Sequence, residues 1–251
     1  MKTVSKILFF LVFMMSTHAK VILIDPGHGG EDCGAKGKIW EKQKKELRVV
    51  CEKEITLGIS KKIQELLKGS HRVYLTRSVD REISLDERAR LADKINADIF
   101  ISVHINSSNS KISHGFETYY LDNHKDIAVK RIEEIENKSL KGENLIINQI
   151  LIDLVVERTA PKSKKLAGLI HKNLKRKIEK RYGIKDRGIK PALFYVLALS
   201  KRPAVLLEVG FLSNEDEVRK ILSPTFQKNY AQAVVKGIKQ YLYTKSPLSL
   251  F

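Results

Sequence analysis

Val21-Ile22-Leu23-Ile24-Asp25-Pro26-Gly27-His28-Gly29-Gly30 decides how this chain folds. Its first four residues are an unbroken apolar run rich in β-branched side chains, the mark of a strand buried on both faces. The run ends in Asp25-Pro26-Gly27-His28-Gly29-Gly30, where regular structure cannot continue. Gly34 and Gly37 prolong that loop, and the charged, poorly periodic residues 38–50 read as an excursion over the surface.

From Glu52 the period changes. Ile55, Ile59, Ile63, Leu66 and Leu67 form one helical stripe that Gly69 ends. Residues 73–76 read as a strand, and Ser84-Leu85-Asp86-Glu87 is a capping box opening a second helix with Ala89, Ala92 and Ile95. Residues 99–103 are another buried strand, and 116–121 alternate as a sheet strand does. Two helices are expected within 126–157. A further helix carries Leu166, Leu169, Ile170, Leu174 and Ile178 and closes at Gly183. Residues 194–199 and 204–207 read as strands, and Phe226, Tyr230, Val234, Ile238 and Leu242 mark a final amphipathic helix. Strands alternating with helices predict an α/β fold: a single domain with a mainly parallel twisted sheet of about six strands and helices on both faces. A length of 251 residues suits this.

The chain opens with a targeting pattern. Lys2 and Lys6 precede a short apolar run at 7–15, and Thr17-His18-Ala19 supplies small residues before a cut after Ala19. Residues 1–19 are therefore expected to be a signal peptide and 20–251 the exported domain, in the periplasm. The apolar run is too short to span a bilayer, and so is 145–156, so no stable membrane span is expected. Lys and Arg total 46 against 29 Asp and Glu, a net charge of +17 that favours a polyanionic partner. Export makes cell wall or membrane, not nucleic acid, the partner to expect. Cys33 and Cys51 are the two cysteines, and they can pair in an oxidising compartment if the fold brings them together.

In parallel sheets, ligands bind at the carboxyl ends of the strands. His28 follows the strand at 21–24, His104 that at 99–103, and Glu208 that at 204–207, so a parallel sheet puts all three along one edge. Two His and a carboxylate suit a zinc ion with one position left for water. Such an ion lowers the pKa of water to about 7.

Beyond this, the opening decapeptide is similar to that of the N-acetylmuramoyl-L-alanine amidase family of the zinc-dependent "amidase 3" type. So are Glu52-Lys53-Glu54-Ile55-Thr56-Leu57, Leu75-Thr76-Arg77, Leu85-Asp86-Glu87-Arg88, Ser102-Val103-His104-Ile105-Asn106, Gly115-Phe116-Glu117-Thr118-Tyr119-Tyr120 and residues 202–214, in order along residues 21–243. The resemblance implies that His28, Glu52 and His104 hold Zn2+ and that Glu208 is the catalytic carboxylate. The substrate it implies is the amide between N-acetylmuramic acid and L-alanine in peptidoglycan, cut in wall remodelling or daughter-cell separation. Glu54 is the rival to Glu52 as ligand, because residues 38–51 are longer and more basic than the usual link; separately, Cys33 stands where the family loop often carries Pro.

The insert at 122–165 resembles the region that, in cell-division amidases, blocks the active site. This implies a regulatory helix at 145–156, with Glu143 or Asp153 near the metal, and an activator protein that relieves the block. A different chemistry is also written near His104. Ser108-Asn109-Ser110-Lys111 fits the Ser-x-x-Lys of penicillin-sensitive D,D-carboxypeptidases, which is the alternative activity. His71, His114, His124 and His171 have no partner pattern and read as surface residues. Arg77, Arg88 and Arg187 read as structural ion-pair or substrate-positioning groups.

Overall fold

The computed structural model describes residues 19–41, 43–137 and 144–243. The expected signal peptide, save its last residue, and Glu143 lie outside them. Strand β1 (Val21–Pro26) is buried at every position. It pairs in parallel with β4 (Arg72–Leu75) on one side and β5 (Ile99–Asn106) on the other. Strand β8 (Ala204–Phe211) lies parallel to β5, and β6 (Phe116–Leu121) runs antiparallel to β8 with β7 (Asp186–Ala192) at its outer edge. The order β4-β1-β5-β8-β6-β7 is the expected mainly parallel six-stranded sheet.

Side-chain alternation builds two cores from one sheet. Ile22, Ile24, Ile101, Val103, Val205 and Leu207 face helices α1 (Glu52–Leu67) and α8 (Pro224–Tyr243), whose Ile55, Ile59, Phe226 and Tyr230 meet them. Leu23, Phe100, Leu206 and Tyr119 face the other way, with Ala92 of α2 (Leu85–Lys94), Val129 of α3 (Ile127–Glu136) and Leu197 of α6 (Tyr195–Leu199). The capping box of α2 is formed: Glu87 N–H donates to the Ser84 hydroxyl, and Glu87 accepts from Ser84 N–H.

Four segments differ from the sequence reading. Residues 195–199 form helix α6, not a strand, and the strand in that region is β7, Asp-Arg-Gly-Ile-Lys-Pro-Ala. An apolar run of six is too short for periodicity to separate helix from strand. An edge strand paired on one side needs no apolar run and tolerates Pro191. The helices expected in the second half of 126–157 and at 166–178 are one element, α4 (Asn144–Leu174), continued by a π turn at Lys175–Glu179 and a last turn α5 (Lys180–Tyr182). Its apolar stripe changes core near Pro161: Ile152, Val156 and Ala160 pack on one side of the sheet, Leu166, Ile170 and Leu174 on the other. Residues 36–41 and 46–51 pair as an antiparallel hairpin, β2 (Lys36–Glu41) with β3 (Glu46–Cys51). The short helix α7 (Glu215–Leu222), which received no sequence signal, completes the fold.

Cys33 and Cys51 are joined by a disulfide, their Cα atoms 5.1 Å apart. The bridge ties the loop after β1 to the end of β3, one residue before α1.

Candidate metal centre and active site

The groups in the cleft come from the loop after β1, the carboxyl halves of β5 and β8, the start of α1 and the end of α3. His28 leaves β1 with φ 57°, and Gly29 and Gly30 follow with positive φ, so the chain reverses sharply. The His28 Nδ1 lies 2.7 Å from Asp32 Oδ2, which fixes the ring and turns Nε2 inward. Glu52 is the first residue of α1 and is buried. Its Oε1 accepts from Ile105 N–H at 2.7 Å and its Oε2 from Ala35 N–H at 2.7 Å, so the carboxylate cannot rotate freely. Those oxygens also face the imidazoles: Glu52 Oε2 is 3.2 Å from His28 Nε2, and Oε1 is 3.3 Å from His104 Nδ1. The two imidazole centroids are 5.0 Å apart. Glycine is required around them, because a Cβ on Gly27 would lie 2.6 Å from the His104 ring and one on Gly34 2.5 Å from Glu52 Oε2.

A fourth group comes from α3. Glu136 Oε2 lies 3.1 Å from His104 Nδ1 and 3.7 Å from His28 Nε2. One ligand atom each from His28, His104 and Glu136 falls within a 4.8 Å cluster able to hold a metal ion. Glu208 completes the floor on β8, in register with His104 on β5. These groups line a cleft of about 580 Å³.

The donor set fits a divalent cation. His28 Nε2, His104 Nδ1 and Glu208 Oε2 are buried without a hydrogen-bond partner, a costly arrangement unless something binds there. The charges agree with this. Burial opposes protonation of His28, yet Glu52 and Asp32 outweigh it and push that imidazole up to about 10. Burial likewise opposes charge on His104, but Glu136 and Glu52 raise it well above its ordinary value. Glu52 is held far below the carboxylate range because His28 and His104 overcome its burial. The cluster thus demands positive charge at one point. Glu208 behaves oppositely: burial above all, then the carboxylates of Glu136, Glu52 and Glu117, push it well up against the pull of His104.

The sequence-derived residues His28, Glu52, His104 and Glu208 come together. Glu54 does not; it is exposed and faces Arg48. Nor does Asp153, which is exposed on α4, and the acidic group that the insert brings to the imidazoles is Glu136, on α3 and outside 145–156. Sequence reasoning missed Glu136 and Asp32. Asp32 was findable as the acid four residues after His28, whereas nothing local separates Glu136 from Glu133 and Glu134. Arg77 and Arg88 are buried and structural: Arg77 donates to Gly27 O at 2.8 Å, and Arg88 pairs with Asp25 and donates to Pro26 O at 2.9 Å, holding the loop that carries His28. Arg187 pairs with Glu117 at 2.5 Å. His114 is exposed as expected. His71 and His171 are buried and the His124 side chain nearly so, His171 between Thr118 and Asp186, and His124 on Glu133.

Ser108 does not open a helix. Its hydroxyl sits in a turn, accepting from Ser110 N–H at 3.1 Å and lying 3.1 Å from the Ser113 hydroxyl, while Lys111 is exposed. The carboxypeptidase reading has no support in this arrangement.

Residues 22–240 match the family model for N-acetylmuramoyl-L-alanine amidase. The chain belongs to that family. Among its relatives, the amidase AmiC of Escherichia coli O6:H1 is 31% identical over 88% of this chain and 52% of its own length, so the chain spans about half of that protein. YqiI of Bacillus subtilis is 33% identical over 88% of this chain and 84% of its own length. The solved amidase from Clostridium difficile 630 has a TM-score of 0.67 and 30% identity, covering 90% of this chain and 98% of that one. CwlD from Clostridioides difficile, solved in complex with the GerS lipoprotein, has a TM-score of 0.65 and 28% identity over 90% of this chain and all of its own. The six-stranded α/β domain described above is thus the catalytic domain of this amidase family. No described helix is long and apolar enough to cross a membrane.

Proposed function

We propose that this family member hydrolyses the amide joining N-acetylmuramic acid to L-alanine in peptidoglycan, with zinc held by His28, Glu52 and His104 and with Glu208 as the proton-transfer group. The convergence of two unpartnered imidazole nitrogens on the hydrogen-bonded carboxylate of Glu52, beside a buried Glu208, carries the reading. A zinc ion there supplies Lewis acidity toward the amide carbonyl and makes a water nucleophilic near neutral pH. Glu52 is locked by two backbone donors and Asp32 fixes the His28 tautomer, so the donor set is preorganised. Glu208 takes a proton from the attacking water and returns one to the leaving nitrogen. The second step needs an acid, which the carboxyl protonated in the first step then is.

Glu136 lies against both imidazoles, where it would compete with a substrate carbonyl or water for an ion held there. The chain is therefore self-inhibited: α3, within the insert at 122–165, keeps its carboxylate on the imidazoles until an activator draws it out. The complex of CwlD with a lipoprotein supports a protein partner for such a domain. The pattern at 1–19 and the net charge of +17 support export to the periplasm and contact with the wall.

Digestion of purified sacculi followed by mass analysis of the products tests this reading. Free stem peptides and unsubstituted muramyl sugars, abolished by a chelator and by Glu208→Gln, are expected; released D-alanine alone would refute it.

A further inference from the structure

The hairpin β2–β3 roots at the rim of the cleft and presents a face that the proposed chemistry does not use. Its register sets Lys38 opposite Val49 and Trp40 opposite Leu47, so Lys36, Lys38, Trp40, Leu47 and Val49 project from one side. The other side is committed to the fold: Ile39 and Val50 are buried, and a Cβ on Gly37 would meet Leu212 O at 2.9 Å. Trp40, the single tryptophan of the chain, is 48% exposed, with Leu47 at 53% and Val49 at 51%. Isolated exposed apolar residues are ordinary, but three side by side around a tryptophan are a patch. Lys36 and Lys38 are exposed on the same face, and among the described residues neither has an ion-pair partner. The ion pairs at this hairpin belong to Lys44 and Arg48.

The patch is held rigidly against the candidate centre. The disulfide closes the hairpin base, Glu52 N–H donates to Ala35 O at 3.0 Å, and Ala35 N–H returns to Glu52 Oε2. Whatever rests on Trp40 is therefore fixed in relation to Glu52.

We propose that this hairpin face is an accessory binding surface for the peptidoglycan strand beyond the bond being cut, an inference that rests on the proposed function above. The apolar face of a sugar ring stacks on Trp40 beside Leu47 and Val49, and stem-peptide carboxylates pair with Lys36 and Lys38. Charge complementarity selects this occupant: a second copy packed face to face would oppose unpaired lysines to one another, whereas the wall strand is polymeric, amphiphilic and anionic. An anionic membrane is the competing occupant, but three apolar side chains interleaved with lysines offer it little to insert.

The test is co-sedimentation of the full chain carrying Glu208→Gln, so that sacculi stay intact, with purified sacculi and separately with vesicles of anionic phospholipid. Adding Trp40→Ala should weaken sacculus binding about fivefold or more, as loss of an aromatic anchor does. Lys36→Glu with Lys38→Glu should weaken it further, while Leu154→Ala, an exposed apolar change on α4, should leave it unchanged. Equal binding by the parent and both hairpin variants would overturn the proposal, as would Trp40-dependent binding to vesicles in place of sacculi. If Trp40 governs sacculus binding but digestion yields no amidase products, the surface stands and the proposed activity falls.

Discussion

Replacing Glu136 by Ala should activate the protein. The carboxylate lies 3.1 Å and 3.7 Å from the two imidazole nitrogens, and its helix meets the core through buried Val129 and partly buried Ile132. Of the residues of α3, Val129 alone is fully buried, which contributes about 1.5–3 kcal/mol, while Ile127 and Ile135 stay exposed. Glu133 bonds to His124 and to Leu193 N–H, and Asn137 bonds to Leu193 O at 3.0 Å and Tyr195 N–H at 2.9 Å, each worth about 1 kcal/mol net. Docking of this weight is reversible, and the charged contact of Glu136 adds about 1.5–3 kcal/mol to it. Removing that contact should shift the closed-to-open balance by about tenfold to a hundredfold. Dye release from covalently labelled sacculi measures this directly, with the metal content of both proteins determined in parallel. An unchanged or lower rate in Glu136→Ala, at equal metal content and equal thermal stability, would refute self-inhibition by α3.

Two further changes probe the scaffold. Gly34→Ala puts a Cβ 2.5 Å from Glu52 Oε2 and from the His28 ring at φ +66°, and should lower zinc affinity about tenfold or more in a chelator competition while the far-ultraviolet spectrum is kept. Asp25→Asn leaves the buried Arg88 guanidinium without its counter-charge, and at pH 7 should cost about 3–5 kcal/mol in denaturant unfolding. Although burial raises the Asp25 carboxyl, Arg88 and Thr76 bring it below its ordinary value of 3.8. Its stabilisation is therefore present above pH 3.8 and lost as pH falls through the folded value, so the gap between wild type and variant should narrow below pH 3.8.

The parts of the molecule that could be read in advance are those where local pattern and final environment agree. β1, β5 and β8 are buried on both faces and so are written as apolar runs, and a polar residue in or just past the carboxyl half of each is carried toward one edge of the sheet. His28, His104 and Glu208 follow from that geometry alone, while Glu52 needed the family resemblance, since a carboxylate opening a helix is ordinarily a capping charge. β7 was hidden by being an edge strand with Gly188 and Pro191 inside it. The hairpin was hidden because its outer face mixes Trp40, Leu47 and Val49 with lysines, which blurs the alternation of a strand. Glu136 could not be read because its role depends on where α3 docks, a tertiary fact with no local signature.

Metal content of the purified chain, measured by mass spectrometry after exhaustive dialysis, tests the centre most directly. One zinc per chain is expected in the wild type and in Glu208→Gln, with loss in His28→Ala and in His104→Ala. Full activity in a metal-free protein, or undiminished zinc in both histidine variants, would contradict it.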